Sequence, residues 1–439
     1  MSARADWSSA AAGSLQGELA VPGDKSISHR AIMLAALADG RSLVDGFLEG
    51  EDTRATAAIF GALGVRIEAP SPARRIVHGV GLHGLSAPIG DLDCGNSGTG
   101  MRLLAGLLAG QRFDSILTGD QSLTRRPMFR VTGPLNAMGA RIDTAEGGRP
   151  PLRIRHAKGL SGIRYTPPVA SAQVKSAILL AGLYAEGETE VSEAHPTRDY
   201  TERMLATFGW PVRFVPGQAA LTGGHRLRAT DILVPSDFSS AAFFLVAASL
   251  VPGSRLLLRG VGLNPRRTGL LHALRLMGAD IREHAPREQG GEAVADLEVR
   301  HAPLHGIDVP RALVPDMIDE FPVLFVAAAG ASGTTRVSGA AELRVKESDR
   351  IAVMATGLRR LGIAVEEAPD GAVIEGGVFA GGEVDSAGDH RFAMAFAVAG
   401  LVARAPVRIA DCANVATSFP GFADLARSVG FDIRETPSL

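Results

Sequence analysis

Cysteine is almost absent from this sequence, and that scarcity excludes several classes of protein. Cys94 and Cys412 are the two cysteines in 439 residues. The chain therefore has neither the disulfide framework of a small secreted domain nor the paired cysteines of a structural zinc site. A reduced compartment fits this composition best, so we expect a cytoplasmic protein with no metal site.

Net positive charge and aromatic residues are also scarce. The 45 Lys and Arg are offset by 47 Asp and Glu, for a formal net charge of −2, and aromatic residues make up 5% of the chain. Proteins that follow a nucleic-acid backbone need a basic surface, and those that stack on bases need aromatic side chains. We expect no nucleic acid as a partner, although an RNA-end-processing protein remains an alternative.

Long hydrophobic runs are missing as well. The longest, 241–251 and 323–331, are too short to cross a bilayer. Residues 1–20 lack the basic start and apolar core of a signal peptide. We therefore expect a soluble protein with no membrane partner.

What the sequence does contain is a repeated arrangement of small and apolar residues. A helical apolar run, a glycine and a short β-branched strand follow one another six times, around Gly64, Gly139, Gly209, Gly278, Gly362 and Gly430. Each glycine is expected to take the left-handed conformation that ends a helix. Six units of similar length predict an internally repeated α/β architecture.

Two interruptions of this pattern suggest where domains meet. Pro22-Gly23 and the segment 234–237 are rich in proline and small polar residues, which is typical of hinges. They place 1–22 and 237–439 in domain I and 23–236 in domain II, with crossovers near 20–24 and 234–240. The polar segment 285–295 is predicted to be an exposed loop.

The first candidate anion site is the helix start that follows Pro22-Gly23. It reads Asp24-Lys25-Ser26-Ile27-Ser28-His29-Arg30. Asp24 is predicted to cap the helix and Gly40 to end it. The cations and hydroxyls therefore lie where unpaired backbone amides and the helix dipole favour an anion.

Similar polar sequences stand at other predicted helix starts. They are Gly95-Asn96-Ser97-Gly98-Thr99, Arg125-Arg126-Pro127, Ser171-Ala172-Gln173, Ile318-Asp319-Glu320, Arg344 to Arg350 and Asp389-His390-Arg391. Pro127 is predicted to be the first residue of a helix. Of Asp319 and Glu320, one is expected to cap a helix and the other to be a candidate general base. Several such helix starts in one cleft would suit two polyanionic ligands.

Other binding motifs are weaker. Gly79 to Gly84 matches the dinucleotide fingerprint, but no helix follows it. Gly23-Asp24-Lys25-Ser26 lacks the glycine that precedes the lysine of a P-loop. Neither a metalloprotease motif nor the nucleophile elbow of a serine hydrolase is present. Nucleotide, metal and serine-hydrolase chemistry are therefore unsupported.

In their order and spacing these motifs resemble the 5-enolpyruvylshikimate-3-phosphate synthase family. The segments that carry the resemblance are Lys25 to Arg30, Gly95 to Thr99, Arg126-Pro127, Ser171-Ala172-Gln173, Ile318-Asp319-Glu320, Arg344 to Arg350 and Asp389 to Arg391, and the match runs from about residue 15 to 435. The resemblance implies a two-domain α/β enolpyruvyl transferase fold. Each domain would hold three βαβαββ units, with the active-site cleft between the domains.

The resemblance also implies a reaction. A transferase of this family moves the carboxyvinyl group of phosphoenolpyruvate to the 5-hydroxyl of shikimate 3-phosphate and releases phosphate, through a tetrahedral ketal and without a cofactor. The step belongs to the shikimate pathway, which leads to chorismate and the aromatic amino acids. We expect a monomer that glyphosate inhibits.

Residue roles follow from the same resemblance. Shikimate 3-phosphate would be held by Lys25, Ser26, Arg30, Ser171, Ala172, Gln173, Arg198, Asp319 and Lys346. Phosphoenolpyruvate would be held by Lys25, Asn96, Gly98, Arg126, Gln173, Arg350 and Arg391. Asp319 would take the proton of the 5-hydroxyl, and Glu347, alone or with Lys25, would protonate the methylene carbon.

The sequence departs from the common family pattern at three positions, which is similar to the more divergent class II members. Ala172 replaces a second serine, Thr417 replaces a lysine, and Glu342 replaces an asparagine. We expect Arg198 to bind the phosphate in place of the serine that is missing at 172. Gly98 leaves room that an alanine would fill, which predicts sensitivity to glyphosate.

The nearest rival is the enolpyruvyl transferase that acts on UDP-N-acetylglucosamine. That family shares the fold and the cosubstrate, and it carries a cysteine in the loop before its Arg-Pro pair. The corresponding loop here, 120–125, has none. This rival is therefore the weaker hypothesis.

Overall fold

The chain passes from one structural unit to another near Pro22 and again near Val234. The computed structural model describes residues 5–346 and 348–437. Unit 1 comprises Met1–Pro22, Pro235–Glu288 and Ala293–Leu439, and unit 2 comprises Gly23–Val234 and Gln289–Glu292. The segment Gln289–Glu292 is the tip of a hairpin whose two strands otherwise belong to unit 1.

The described residues form six α-helices in each unit. Those of unit 2 are α1 (Lys25–Leu37), α2 (Glu51–Ala62), α3 (Gly98–Ala109), α4 (Phe129–Ala137), α5 (Ala172–Gly182) and α6 (Tyr200–Thr207). Those of unit 1 are α7 (Phe238–Leu250), α8 (Gly269–Leu276), α9 (Phe321–Ala329), α10 (Arg350–Arg360), α11 (His390–Gly400) and α12 (Phe422–Ser428).

Strands alternate with these helices along the chain. Unit 1 begins with β1 (Ala5–Ala10) and β2 (Gln16–Leu19). Unit 2 contains β3 (Ala38–Asp45), β4 (Arg66–Ser71), β5 (Arg74–Val80), β6 (Leu92–Asp93), β7 (Ser115–Thr118), β8 (Arg141–Ala145), β9 (Arg149–Arg155), β10 (Leu160–Ser161), β11 (Arg164–Tyr165), β12 (Ala185–Glu186), β13 (Glu188–Ser192), β14 (Val212–Val215), β15 (Gln218–Thr222), β16 (Leu227–Arg228) and β17 (Ile232–Leu233). Unit 1 resumes with β18 (Arg255–Gly262), β19 (Asp280–Gln289), β20 (Glu292–Arg300), β21 (Thr334–Val337), β22 (Val365–Ala368), β23 (Gly371–Glu375), β24 (Gly382–Asp385), β25 (Val407–Ala410) and β26 (Asp432–Pro437).

The sheets of unit 2 repeat one pairing scheme. Their strand orders are β16-β3-β5-β4, β6-β7-β9-β8 and β11-β13-β15-β14. In each, the first pair is parallel and the next two pairs are antiparallel. Two further strands, β10 and β12, pair only with each other among the described residues.

Unit 1 is built in the same way. Its sheets have the orders β2-β18-β20-β19 and β24-β25-β1-β26, in which the first pair is again parallel. A third sheet, β21-β23-β22, has no fourth strand in the described chain. Isolated parallel bridges lie instead at Arg336 in β21 and at Ser332 just before it. The predicted two-domain, six-fold repeated α/β fold is confirmed by these repeating sheets.

The glycines that marked the repeat in the sequence have the predicted backbone conformation. Their φ angles are +90° at Gly64, +99° at Gly139, +79° at Gly209, +96° at Gly278, +87° at Gly362 and +106° at Gly430. Each follows a helix directly and precedes a strand or extended segment. A glycine is favoured at such a position because a side chain would strain the left-handed backbone.

Three local predictions were wrong. Helix α1 ends at Leu37 rather than at Gly40, because Ala38 is already extended and starts β3. Pro127 is not the first residue of a helix; α4 begins at Phe129, after the extended Arg126 closes a short 3-10 helix. The predicted loop 285–295 is instead a hairpin of β19 and β20 with a two-residue turn.

Each unit has its own apolar core beneath the helix starts. In unit 2 the core side of α1 is formed by residues such as Ile32, Leu34 and Leu37, and in unit 1 α9 is buried all round. Helices this apolar stay in place through packing rather than through their own propensity. Their first turns are therefore rigid platforms for polar side chains.

Candidate active site

Lys25 stands at the first position of α1 and pairs with an acid from the next helix. Asp24 caps α1 by accepting a hydrogen bond from the Ile27 amide at 2.8 Å, as predicted. The Lys25 ammonium forms an ion pair with Asp52 in the first turn of α2. Asp52 is buried and retains one oxygen without a hydrogen-bond partner in the described part of the chain. The carboxylate therefore holds Lys25 in position at the helix start.

Arg30 lies one turn further along α1 and is buried. Its guanidinium donates to the Thr201 hydroxyl at 2.7 Å, the Ser176 hydroxyl at 2.9 Å and the Ser26 carbonyl at 2.9 Å. Burial lowers the pKa of Arg30 to about 10, which leaves it charged at neutral pH; the nearby charge of Arg198 acts in the same direction. Neutral oxygens thus orient this cation.

His29 connects three helix starts. Its Nδ1 lies 2.8 Å from the Thr56 hydroxyl on α2, and its Nε2 lies 3.4 Å from the hydroxyl of Ser97, which caps α3. Burial lowers the pKa of His29 well below its usual value, and the charges of Lys25 and Arg30 lower it further. The neutral ring is therefore a structural link between α1, α2 and α3.

The glycine-rich turn before α3 brings Asn96 beside Arg126. The Asn96 side chain accepts from Arg126 at 2.8 Å and donates to Asp120 at 2.7 Å. Gly98 begins α3, and a Cβ placed on it would lie 2.9 Å from Nη1 of Arg102 and 3.2 Å from Nη1 of Arg126. The absence of a side chain at Gly98 thus lets two guanidinium groups approach the helix start.

Gln173 links α5 to α3. Its Oε1 accepts from Arg102 at 2.8 Å and its Nε2 donates to the Thr99 hydroxyl at 2.8 Å. Arg102 therefore joins the same cluster as Gln173 and Gly98. It is a basic residue to which the sequence assigned no ligand.

Ser171 and Ala172 form the start of α5. The Ser171 hydroxyl is the N-cap of the helix, and the Ser171 amide donates to Glu193 at 3.2 Å. Ala172 is buried, while Ser171 is half-buried. Glu193 in turn pairs with Lys175 at 2.9 Å. An acid remote in sequence therefore anchors this helix start.

In unit 1, Asp319 lies in the turn before α9 and faces two arginines. Its Oδ2 accepts from Nη1 of Arg267 at 2.8 Å, and its Oδ1 lies 3.6 Å from Nη1 of Arg350. Arg350 is buried and also donates from Nε to Asp389 at 2.8 Å. Asp319 is thus held between cations that come from outside its own helix.

Glu320 occupies the N-cap position of α9 without making a side-chain cap. It is buried, accepts a hydrogen bond from the Ser239 hydroxyl, and lies 3.7 Å from Nη1 of Arg391. Ser239 in turn accepts from Arg267. Asp319 and Glu320 therefore belong to one network that includes residues from α7, α9 and α11.

Asp389 connects the starts of α10 and α11. It caps α11 by accepting from the Arg391 amide at 2.9 Å, and its other oxygen receives Nε of Arg350. Arg350 is the first residue of α10, which Asp349 caps. Five helix starts of unit 1, those of α7 to α11, therefore bring acids and arginines together.

The remaining candidates of unit 1 have partners of their own. Lys346 lies 3.2 Å from Glu342, one of the positions at which the chain departs from the family pattern. Thr417 is buried and donates its hydroxyl to the Asn414 carbonyl at 2.7 Å. Glu347 lies outside the described residues.

Sequence reasoning missed several members of these clusters. Four buried residues were given no role: Asp52, Lys175, Glu193 and Arg267. Asp52, Glu193 and Arg267 contact candidate residues directly, and Lys175 contacts Glu193. A signal was available for Arg267, because Asn264-Pro265-Arg266-Arg267 precedes α8 much as Arg125-Arg126-Pro127 precedes α4. The others could not be found from local spacing.

Across 5–346 and 348–437, no group of three His, Cys, Asp or Glu side chains is arranged to hold a metal ion. Within the same ranges, every helix is too short or too polar to cross a membrane.

Known proteins resemble this chain over nearly its whole length. The family model described as EPSP synthase (3-phosphoshikimate 1-carboxyvinyltransferase) matches residues 10–425. A 3-phosphoshikimate 1-carboxyvinyltransferase of Xanthomonas oryzae pv. oryzae is 68% identical over 432 residues, 98% of each chain. One from Xanthomonas axonopodis pv. citri is 69% identical over 427 residues, 97% of each chain.

Solved structures agree with these relatives. A structure of EPSP synthase from Acinetobacter baumannii superposes with a TM-score of 0.91 at 51% identity, covering 98% of this chain and 100% of that one. A second structure from the same organism gives 0.89 at 50% identity, covering 98% and 99%.

Proposed function

We propose how the parts of this chain carry out its reaction, on the premise that the chain belongs to the EPSP synthase family and is a 3-phosphoshikimate 1-carboxyvinyltransferase. It transfers the carboxyvinyl group of phosphoenolpyruvate to the 5-hydroxyl of shikimate 3-phosphate and releases phosphate, in the biosynthesis of aromatic amino acids. The observation that carries the proposal is the pair of helix-start clusters, one rich in oriented cations and the other in carboxylates paired with arginine.

Shikimate 3-phosphate is assigned mainly to unit 2. Lys25, Ser26 and Arg30 of α1 and Ser171, Ala172 and Gln173 of α5 lie at helix starts, where backbone amides and the dipole favour a phosphate or carboxylate. Arg198 supplies a further cation, and its proximity to Arg30 supports this role. Asp319 and Lys346 of unit 1 complete the assignment.

Phosphoenolpyruvate is assigned to a second set of cations. Arg126, oriented by Asn96, lies beside Gly98. A guanidinium held in this way suits the bidentate binding of a carboxylate or phosphate. Lys25, Gln173, Arg350 and Arg391 complete the proposed contacts.

The proton transfers are assigned to unit 1 and Lys25. Asp319 removes the proton of the 5-hydroxyl of shikimate 3-phosphate as this hydroxyl oxygen bonds to C2 of phosphoenolpyruvate. Glu347, alone or with Lys25, adds a proton to C3, which gives the tetrahedral ketal. Breaking the C2–O bond to phosphate, with loss of a methyl proton, restores the vinyl group. The pairing of Asp319 with Arg267 supports its role as the ionised base.

Further parts of the proposal concern organisation and setting. We retain 1–22 with 237–439 as domain I and 23–236 as domain II, and we expect a cytoplasmic monomer. Glyphosate is expected to inhibit by competing with phosphoenolpyruvate at Arg126 and Gly98.

The experiment is phosphate release from phosphoenolpyruvate, measured with and without shikimate 3-phosphate. We expect release only when shikimate 3-phosphate is present, and competitive inhibition by glyphosate against phosphoenolpyruvate. Release that depends on UDP-N-acetylglucosamine instead would contradict the proposal and favour the rival transferase. Turnover unaffected by glyphosate near the phosphoenolpyruvate KM would contradict the inhibitor assignment alone.

A further inference from the structure

Three ionisable side chains outside the assigned site are buried together in unit 2. The ammonium of Lys175 on α5 lies 2.9 Å from Glu193 Oε2 and 2.9 Å from Glu202 Oε1. Their side chains are 3%, 0% and 2% exposed. Burying charges costs several kcal/mol per ion before pairing repays it, and apolar side chains often stabilise such a position equally well. This cluster therefore calls for an explanation beyond stability.

The contacts of Glu193 indicate what it does. Its Oε1 accepts from the Ser171 amide at 3.2 Å and the Thr197 hydroxyl at 2.7 Å. Its Oε2 accepts from the Thr197 amide at 3.2 Å and receives Lys175. The Glu193 carboxylate thus links the segment that carries Ser171, through Oε1, to the segment that carries Arg198, through both oxygens. Lys175 also lies 3.4 Å from the Thr197 carbonyl.

We propose that Glu193, held by Lys175, is a positioning residue that fixes Ser171 and the Thr197-Arg198 segment as ligands of the phosphate group of shikimate 3-phosphate. The inference rests on the proposed function, because that function supplies the substrate. It also explains how a loop between β13 and α6 can present Arg198 beside an α5 start in which Ala172 replaces a serine.

The position of Arg198 fits this role. Arg198 follows Thr197 directly, and its charge contributes to lowering the pKa of Arg30, although burial of Arg30 is the larger cause. Two like charges repel each other, so the segment that carries Arg198 has to be held in place against this repulsion. The hydrogen bonds from Thr197 to Glu193 provide that backbone restraint.

The test compares two matched threonine variants of the full chain. Thr197→Val removes the hydroxyl that binds Glu193. Thr189→Val, in the strand β13 that precedes Glu193, removes a buried hydroxyl that has no hydrogen-bond partner among the described residues. Glu193→Gln removes the charge of the anchor itself. Affinity for shikimate 3-phosphate is measured by calorimetry, with the KM for phosphoenolpyruvate, kcat and Tm measured on the same preparations.

We expect Thr197→Val to weaken shikimate 3-phosphate binding by about tenfold and Glu193→Gln by about thirtyfold or more. The KM for phosphoenolpyruvate should change by less than about twofold. Thr189→Val should bind like the wild type. A merely structural role would lower Tm and weaken both substrates together.

Equal binding of shikimate 3-phosphate by Thr197→Val and Thr189→Val would overturn the inference, as would a parallel loss for phosphoenolpyruvate. If Glu193→Gln does not fold, the comparison of Thr197→Val with Thr189→Val alone tests the inference. Wild type that binds shikimate 3-phosphate without releasing phosphate would contradict the proposed function while leaving this comparison intact. Wild type that binds none would overturn both.

Discussion

Arginines in the two helix-start clusters face different partners. In unit 2, Arg30 donates to hydroxyl and carbonyl oxygens, and Arg126 donates to an amide oxygen. In unit 1, Arg267 and Arg350 face Asp319, and Arg350 also binds Asp389. Neutral oxygens orient a guanidinium by hydrogen bonding, whereas the arginines and carboxylates of unit 1 orient each other through ion pairs.

We propose that this difference separates two tasks on one repeated fold. Oriented cations at helix starts are suited to holding phosphates and carboxylates, which is the role proposed for unit 2. A carboxylate held by two arginines is fixed in its direction, and a general base has to be placed within reach of the proton that it removes. Both units use the same sheet and helix pattern, so in the proposed division of tasks the partner side chains of the arginines, rather than the fold, separate binding from proton transfer.

The largest expected effect is at Lys25, which is assigned to both substrates. Lys25→Met should lower kcat/KM for each substrate by about 10³-fold, because each substrate loses a charge-assisted hydrogen bond. Steady-state kinetics for both substrates measures this, with Lys158→Met, at an exposed position of unit 2, as the control.

A fall in kcat/KM for one substrate but not for the other would contradict the shared role of Lys25. Since the change also strands the buried Asp52, Tm is measured in parallel. The double variant Lys25→Met/Asp52→Asn removes that stranded charge, and we expect it to stay inactive.

A smaller effect is expected at Arg267, which tests the acid–arginine pairing of unit 1. Arg267→Gln should lower kcat by about thirtyfold, because Asp319 loses a charged partner that orients it. The neighbouring Arg266 pairs instead with Asp316 at 3.3 Å, so Arg266→Gln is a matched control. Similar losses in kcat for Arg267→Gln and Arg266→Gln would contradict the proposal that Arg267 orients Asp319.

A still smaller effect is expected when one methyl group is added at Gly98, beside the guanidinium groups of unit 2. The added Cβ would meet the far ends of Arg102 and Arg126 and a Leu123 methyl, so the chain should fold normally. Gly98→Ala should raise the KM for phosphoenolpyruvate by about tenfold, and weaken glyphosate, because it displaces guanidinium groups. Gly133→Ala, where the added Cβ meets no described atom within 4 Å, is the control.

Shikimate 3-phosphate affinity should be unchanged in Gly98→Ala. A variant that weakens both substrates equally would show that Gly98 shapes the whole cluster rather than the phosphoenolpyruvate contacts.

The smallest effect concerns pH and the neutral His29 in unit 2. Because its pKa is lowered in the folded chain, the stability it contributes is present above about pH 6.5 and is lost as pH falls, since only the unfolded chain then takes up the proton. The expected loss is about 1.4 kcal/mol per pH unit below that value. His29→Asn should remove this part of the pH dependence.

Thermal unfolding of the full chain from about pH 7 to about pH 5.5 measures the effect. His272→Asn, at an exposed position of α8, is the control. Identical pH dependence in wild type and His29→Asn would show that His29 takes up protons in the folded state.

Local signals in the sequence predicted much of this molecule. The six helix-ending glycines and the capping of α1 by Asp24 depend on neighbouring residues, so spacing alone was enough to find them. The end of α1 was misplaced, because pairing of β3 with β16 draws Ala38 into the sheet. Where the helix ends is therefore decided by pairing with a strand that is distant in sequence, and the residues around Ala38 do not show this.

The partners of the site residues were harder to find for the same reason. Arg267 and Asp319 are 52 residues apart, and Ser171 and Glu193 are 22 apart. The contact between Arg267 and Asp319 exists only after separate repeat units have packed, and the contact between Ser171 and Glu193 only after α5 has packed against β13. Asp319 and Ser171 belong to motifs that carry the family resemblance. Their partners, Arg267 and Glu193, lie outside those motifs, so the resemblance did not point to them.

Asp319→Asn, with affinity and turnover measured on one preparation, tests the division of tasks most directly. We predict that shikimate 3-phosphate affinity, by calorimetry, changes by less than about threefold while kcat falls by about 10³-fold. Asp308→Asn, at an exposed position of unit 1, should leave both unchanged. A kcat within about tenfold of wild type, or a loss of affinity as large as the loss of turnover, would contradict the assignment of Asp319 as the base.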